Sequence, residues 1–141
     1  MSANRNHTLN KAERLCSRLL IDMLFDGKGC TVSSWPLRVV FRFVDGSADS
    51  RTPQVELLVS VSKRYFKRAV KRNRVKRQIR EAYRKNKGQL LDVMANYPDK
   101  RLLMGIIWQD DHLHSSEKVE AKMQNLLLRL EEKVKDKLEG V

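Results

Sequence analysis

A chain of 141 residues with 41% hydrophobic side chains can bury one core without staples and is too apolar to be globally disordered. Its formal net charge is +12, and its two cysteines, Cys16 and Cys30, follow no metal or disulfide spacing, which fits a reducing cytosol. The opening MSANRNHTLNKAER lacks an apolar secretion core and no run reaches bilayer-spanning length, so a soluble cytoplasmic protein with no membrane partner is predicted.

Residues 1–8 are polar and predicted disordered, leaving 9–138 as a single domain. Asn10, with Glu13 three residues on, predicts the cap of a first helix. Leu15, Leu19, Leu20, Met23 and Leu24 repeat at helical spacing until Gly27 and Gly29 stop it. Residues 27–36 read as a Gly/Ser/Pro connection. Leu37, Val39, Phe41 and Phe43 then alternate with Arg38, Val40, Arg42 and Val44, which predicts a strand with one apolar and one mixed face. A long turn over 45–53 leads to a second strand, with Val55, Leu57, Val59 and Val61 on one face.

A basic helix follows, and residues 88–99 can either extend it or form a second one before Pro98 and Asp99 break it. RLLMGIIW, residues 101–108, reads as a central strand covered on both faces. Ser115 or Ser116 caps a last helix whose core stripe is Val119, Met123, Leu126, Leu127, Leu130 and Val134. Helix-strand-strand-helix-strand-helix in this order predicts a two-layer α+β sandwich.

The charge is concentrated. Residues 63–87, KRYFKRAVKRNRVKRQIREAYRKNK, hold 13 of the 29 Lys and Arg and one of the 17 acids, Glu81, which leaves 16 of each sign elsewhere. Such a segment makes a local positive field suited to a polyanion. At about 100° per residue, Val75, Ile79, Ala82 and Tyr83 share one side of a helix over 72–87, opposite Asn73, Arg77, Arg80 and Arg84. Phe66, Ala69 and Val70 are out of phase with that apolar side, so 62–70 is expected to be a bent entry. A merely solvated helix would offset its charges in i,i+4 pairs, and only Glu81 with Lys85 fits that pattern.

Asp110, Asp111, His112 and His114 are the one cluster able to ligate a metal or move protons, although a turn before a helix is also an ordinary place for them. There is no glycine-rich phosphate loop and no nucleophile with a base at a recognisable spacing, so no catalytic residue and no metal ligand is assigned to the protein. Phe25, Phe41 and Phe43, with Arg38 and Arg42, suggest a surface that stacks unpaired bases and holds a backbone, the alternative being that Phe41 and Phe43 are core.

Arg72-Asn73-Arg74-Val75-Lys76-Arg77, followed by Ile79-Arg80-Glu81, resembles the RNR motif of the bacterial ribonuclease P protein subunit family. Val59-Ser60-Val61-Ser62-Lys63-Arg64 is similar to the strand and basic turn before it, and Leu9 to Leu15 matches the family's opening helix more loosely. The resemblance covers roughly residues 9–135. It implies a ribosomal-protein-like fold with a left-handed βαβ crossover, where the general rule alone predicts a right-handed one. It also implies a ribonucleoprotein endonuclease that removes the 5′ leader from precursor tRNA, with the catalytic centre and its Mg²⁺ held mainly by the RNA subunit. Lys63, Arg64, Arg68, Arg72, Asn73, Arg74, Lys76, Arg77, Arg80 and Arg84 would then bind RNA. Ile21, Phe25, Phe41, Phe43, Arg38 and Arg42 would form a leader cleft, with Ile21 standing where the family commonly has an aromatic. The expected partners are the catalytic RNA and precursor tRNA.

Two other readings fit the charge. One is a basic ribosomal or assembly protein without a cleft. The other is a major-groove DNA reader, disfavoured because RNRVKRQIR offers few residues suited to base edges.

Overall fold

The computed structural model describes residue 14 and residues 18–46 and 53–140. Its elements run α1 (Arg18–Leu24), β1 (Cys30–Ser34), β2 (Leu37–Asp45), β3 (Val55–Ser60), α2 (Ala69–Asn86), α3 (Gly88–Ala95), β4 (Lys100–Trp108) and α4 (Ser116–Glu139). The strands form one mixed sheet in the order β1-β2-β4-β3, antiparallel except where β3 lies beside β4. The α+β frame expected from the sequence is present, and α2 with α3 connects the adjacent parallel strands β3 and β4.

Strand alternation divides the apolar residues between two faces. Leu37, Val39 and Phe41 of β2, Val55, Leu57 and Val59 of β3, and Leu102, Met104, Ile106 and Trp108 of β4 join the main core. Val75, Ile79, Ala82 and Tyr83 of α2 close over them, as the helical phase predicts, together with the expected stripe of α4. Among the described residues the other face is covered by the short α1. There Leu24 packs with Val40 and Leu103, and Leu20, Ile21, Val44, Leu58 and Ile107 are half-buried around them. β4 is thus apolar on both faces, which is why its sequence does not alternate.

Four local features differ from the sequence reading or complete it. Residues 30–34, read as connection, are the edge strand β1, joined to β2 through the Trp35–Pro36 turn. In β1 Cys30, Val32 and Ser34 face inward, and only Val32 is a large aliphatic, so the five-residue CTVSS strand carries almost no apolar pattern. The first helix does not run through residue 14. Arg14 pairs in parallel with Leu57 on the outer edge of β3, where unpaired backbone groups are available; Asn10, Glu13 and residues 1–8 lie outside the described residues.

Residues 62–66 form the bent entry: Ser62 O accepts from the amides of Tyr65 at 3.1 Å and Phe66 at 3.3 Å, and this turns Phe66 into the core before α2 begins at Ala69. Residues 88–95 are a separate helix, α3, burying Leu90 and Met94. Gln54 Nε2 fixes its exit by donating to Tyr97 O at 2.7 Å and Lys100 O at 3.0 Å.

Candidate nucleic-acid interface

Burying Val75, Ile79, Ala82 and Tyr83 forces the rest of α2 outward. Arg68, Lys71, Asn73, Arg74 and Arg77 are exposed, as are Lys63 and Arg64 on the entry turn, while Lys76, Arg80 and Arg84 are half-buried. Neither Arg74 nor Arg77 makes an ion pair with a described residue. The first turn of α2 contains no acid, and its N-cap residue Arg68 makes no side-chain capping bond. A helix N-terminus carries roughly half a positive charge and unpaired amides, so here the backbone adds to the side-chain field.

Three of the basic side chains have work inside the protein. Arg72 Nη1 donates to Phe66 O and Lys67 O, both at 2.8 Å, and so ties the entry bend to the first turn of α2. Glu81 does not pair with Lys85. It binds Arg84 one turn away, which lowers its pKa and raises that of Arg84, and Lys85 Nζ lies 3.6 Å from Glu120 on α4. Arg80 has a lowered pKa because it is partly desolvated and faces Arg14.

The second candidate surface lies on the α1 face of the sheet. β2 points Arg38 and Arg42 to this side with Val40, and Phe41 and Phe43 to the other. Phe41 is fully buried in the main core and Phe43 packs against it, their rings edge to face at 6.0 Å. The placement of Phe41 and Phe43 in a leader cleft is therefore corrected by strand parity: they are core. Arg42 is also committed, donating to Met23 O at 2.8 Å and binding Asp26, so it fastens the end of α1 to the sheet. The backbone amide of Lys28, with Arg42, lowers the pKa of Asp26. Ile21 is half-buried against Leu24, Val40 and Leu103.

Phe25 and Arg38 remain. They line a hollow of about 230 Å³ whose walls include Leu24, Thr31 and Val40. Phe25 is 45% exposed, and its ring lies on β4 at Gly105, where a Cβ would meet Phe25 Cζ and Leu24 Cδ2 at 3.1 Å. Glycine at 105 is what lets the end of α1 lie directly on the strand. Gly105 within RLLMGIIW was the available clue to this close approach. Thr31 of β1 had none, because β1 itself was not legible.

The loop after β4 is internally satisfied. Trp108 Nε1 donates to Asp110 O at 2.7 Å, His114 Nε2 lies 2.7 Å from Asp110 Oδ2, and the His114 ring meets Trp108 and Trp35 edge to face at 5.1 and 5.8 Å. Burial works to raise the Asp110 pKa, but hydrogen bonds from His114 and His112 outweigh it and the net shift is downward. His112 is raised, first by its hydrogen bond to Asp110 and then by the charge of Asp111. One ligand atom each from Asp110, Asp111 and His112 lies within 4.8 Å of the others. Among the described residues no helix is long and apolar enough to cross a membrane.

The fold and its charges define a class: a small basic α+β protein with one helix face suited to a polyanion and a separate hollow walled by an aromatic ring and an arginine. The sequence profile of the family described as Ribonuclease P matches residues 9–131, and the chain belongs to this family. It is 40% identical over 132 residues to the ribonuclease P protein component of Porphyromonas gingivalis, covering 92% of this chain and 91% of that one. The RNase P protein from Thermotoga maritima superposes with a TM-score of 0.59 at 27% identity, over 83% of this chain and 96% of that one. The Staphylococcus aureus RNase P protein shares the fold at 19% identity, with a TM-score of 0.59 over 85% and 96% of the two chains.

Proposed function

We propose that the chain is the protein subunit of a cytoplasmic ribonuclease P ribonucleoprotein, binding its catalytic RNA through α2 and the 5′ leader of precursor tRNA through the hollow beside α1. The unneutralised face of α2 carries this reading: Arg68, Arg74 and Arg77 are exposed, and the helix start brings no acid of its own. On folded RNA these side chains replace condensed counterions and fix the register of the two subunits. Asn73 adds an amide that both donates and accepts, suited to holding backbone geometry rather than adding charge.

Phe25 is placed to stack an unpaired leader base, with Arg38 on the neighbouring phosphate. The RNA supplies the catalytic centre and its Mg²⁺, and the protein's share is binding, positioning and preference for precursor over product. The test is reconstitution of the protein with its organism's candidate catalytic RNA and precursor tRNA at low Mg²⁺. Faster leader removal on adding the protein is expected. RNA binding without any effect on cleavage would refute this reading in favour of a structural assembly protein.

A further inference from the structure

A groove of about 420 Å³ opens where the junction of α2 and α3 meets α4. Its apolar side is Leu127, almost fully buried, and Leu128, 56% exposed. Most of its polar lining is already engaged. Asn86 donates to Ala82 O at 2.8 Å and accepts from Gln124 Nε2 at 3.3 Å, and Lys85 pairs with Glu120. Gln89 is exposed and makes no hydrogen bond with a described residue, and Glu131 is the one charged group left over. It is 7% exposed, lines the groove, and makes no hydrogen bond or ion pair with a described residue. Burial pushes its pKa up, and Lys135 one turn further on offsets only part of that shift.

The Glu131 residue is largely buried while its carboxylate still reaches solvent at the groove wall, so it is partly desolvated and open to a ligand that brings positive charge. No aromatic side chain lines this groove to stack a base, and a single carboxylate falls far short of the six or more oxygens a hard cation takes. Leucines beside a lone carboxylate instead match an ammonium at the end of a methylene chain. We propose that the groove binds an aliphatic amine, its ammonium on Glu131 and its chain along Leu127 and Leu128. This site is independent of the RNA-binding face and of the hollow at Phe25.

The test titrates the full-length protein, without RNA, using 1,4-diaminobutane and separately Nα-acetyl-lysine methylamide, with the Glu carboxyl carbons followed by NMR. Saturable movement of the Glu131 resonance is expected with at least one amine and absent with 1,4-butanediol. Glu131→Gln, similar in shape, should weaken binding about tenfold or more. Binding should also weaken as pH falls and the Glu131 carboxylate is protonated, since the ammonium stays charged. The tighter of the two probes assigns the source, a free polyamine or a lysine side chain. If Glu131→Gln does not fold, the wild-type resonance still decides. No movement with either amine, equal movement with the diol, or undiminished binding by a folded Glu131→Gln would overturn the proposal.

Discussion

Arg72 and Arg77 lie five residues apart on α2 and are alike in character, yet replacing each with Ala should produce different defects. Arg77 is exposed and makes no ion pair with a described residue, so its loss should remove the proposed contact to RNA and nothing from the fold. One phosphate contact contributes about 0.9 to the slope of log K against log salt, so Arg77→Ala should lower the slope of assembly with the catalytic RNA by about one. Between 50 and 200 mM salt, the ratio of variant to wild-type Kd should then shrink by about 3.5-fold. Arg72, by contrast, holds two carbonyls of the entry bend at 2.8 Å. Hydrogen bonds from a charged donor contribute about 1.5–3 kcal/mol. Discounted for partial exposure, Arg72→Ala should cost roughly 1–3 kcal/mol and lower Tm by roughly 3–8 °C. Filter binding across a salt series, with thermal melts of the free proteins, reads both quantities. An unchanged salt slope for Arg77→Ala, or an unchanged Tm for Arg72→Ala, would refute the division between RNA-facing and fold-facing arginines.

Phe25→Ala removes a half-exposed ring, so the fold should survive, while binding of precursor relative to mature tRNA by the reconstituted complex should fall by about 1–3 kcal/mol, the worth of one stacked base; equal loss for both tRNAs would count against a leader contact. His112 should titrate above its ordinary midpoint of about 6.5 in NMR spectra, and Asp110→Asn should bring that midpoint down. Because the folded-state pKa is raised, the associated stability is fully present below the unfolded value and is lost as pH rises through the folded one; a melting curve of Asp110→Asn with the same pH dependence as wild type would contradict this. Cleavage by the reconstituted complex should be nearly unchanged by Asp110→Asn, since the proposed chemistry lies in the RNA.

How much of this was legible in the sequence depended on period and charge. The 3.6-residue phase of Val75, Ile79, Ala82 and Tyr83 fixed the orientation of α2, and the count of charges marked its outer face before any geometry. Strand parity placed Arg38 and Arg42 on the face opposite Phe41 and Phe43, but it could not say which face α1 would cover, and the two phenylalanines proved to be core. Pairing along α2 was misjudged because an i,i+4 rule sees one helix at a time. Lys85 finds Glu120 across a helix interface, 35 positions away, which leaves Glu81 to Arg84. β1 escaped notice because an edge strand that buries two small positions needs little apolar pattern. The roles of Arg42 and Arg72 as ties to backbone carbonyls also had no sequence signature, since an arginine on a carbonyl and an arginine facing solvent look alike in the chain.

Gly105 offers a way to test the Phe25 hollow without touching any residue proposed to meet RNA. A Cβ at 105 would stand 3.1 Å from both Leu24 Cδ2 and Phe25 Cζ. Leu24 is fully buried in the α1 face of the sheet, whereas Phe25 is nearly half exposed and is the freer of the two to swing outward. Gly105→Ala therefore relieves its contact mainly by lifting the Phe25 ring off β4. Overpacking costs typically 1–3 kcal/mol, and the alanine recovers about 0.4–1 kcal/mol by restricting the unfolded chain, so the net loss of stability should be about 0–2.6 kcal/mol. The α2 face is on the other side of the sheet and is unaffected, so assembly with the catalytic RNA should keep its affinity and its salt slope. What should fall is the preference for precursor over mature tRNA, because the ring no longer lies where the hollow presents it. A folded Gly105→Ala protein that assembles normally and still discriminates as wild type would show that the position of Phe25 on β4 has no part in holding the leader.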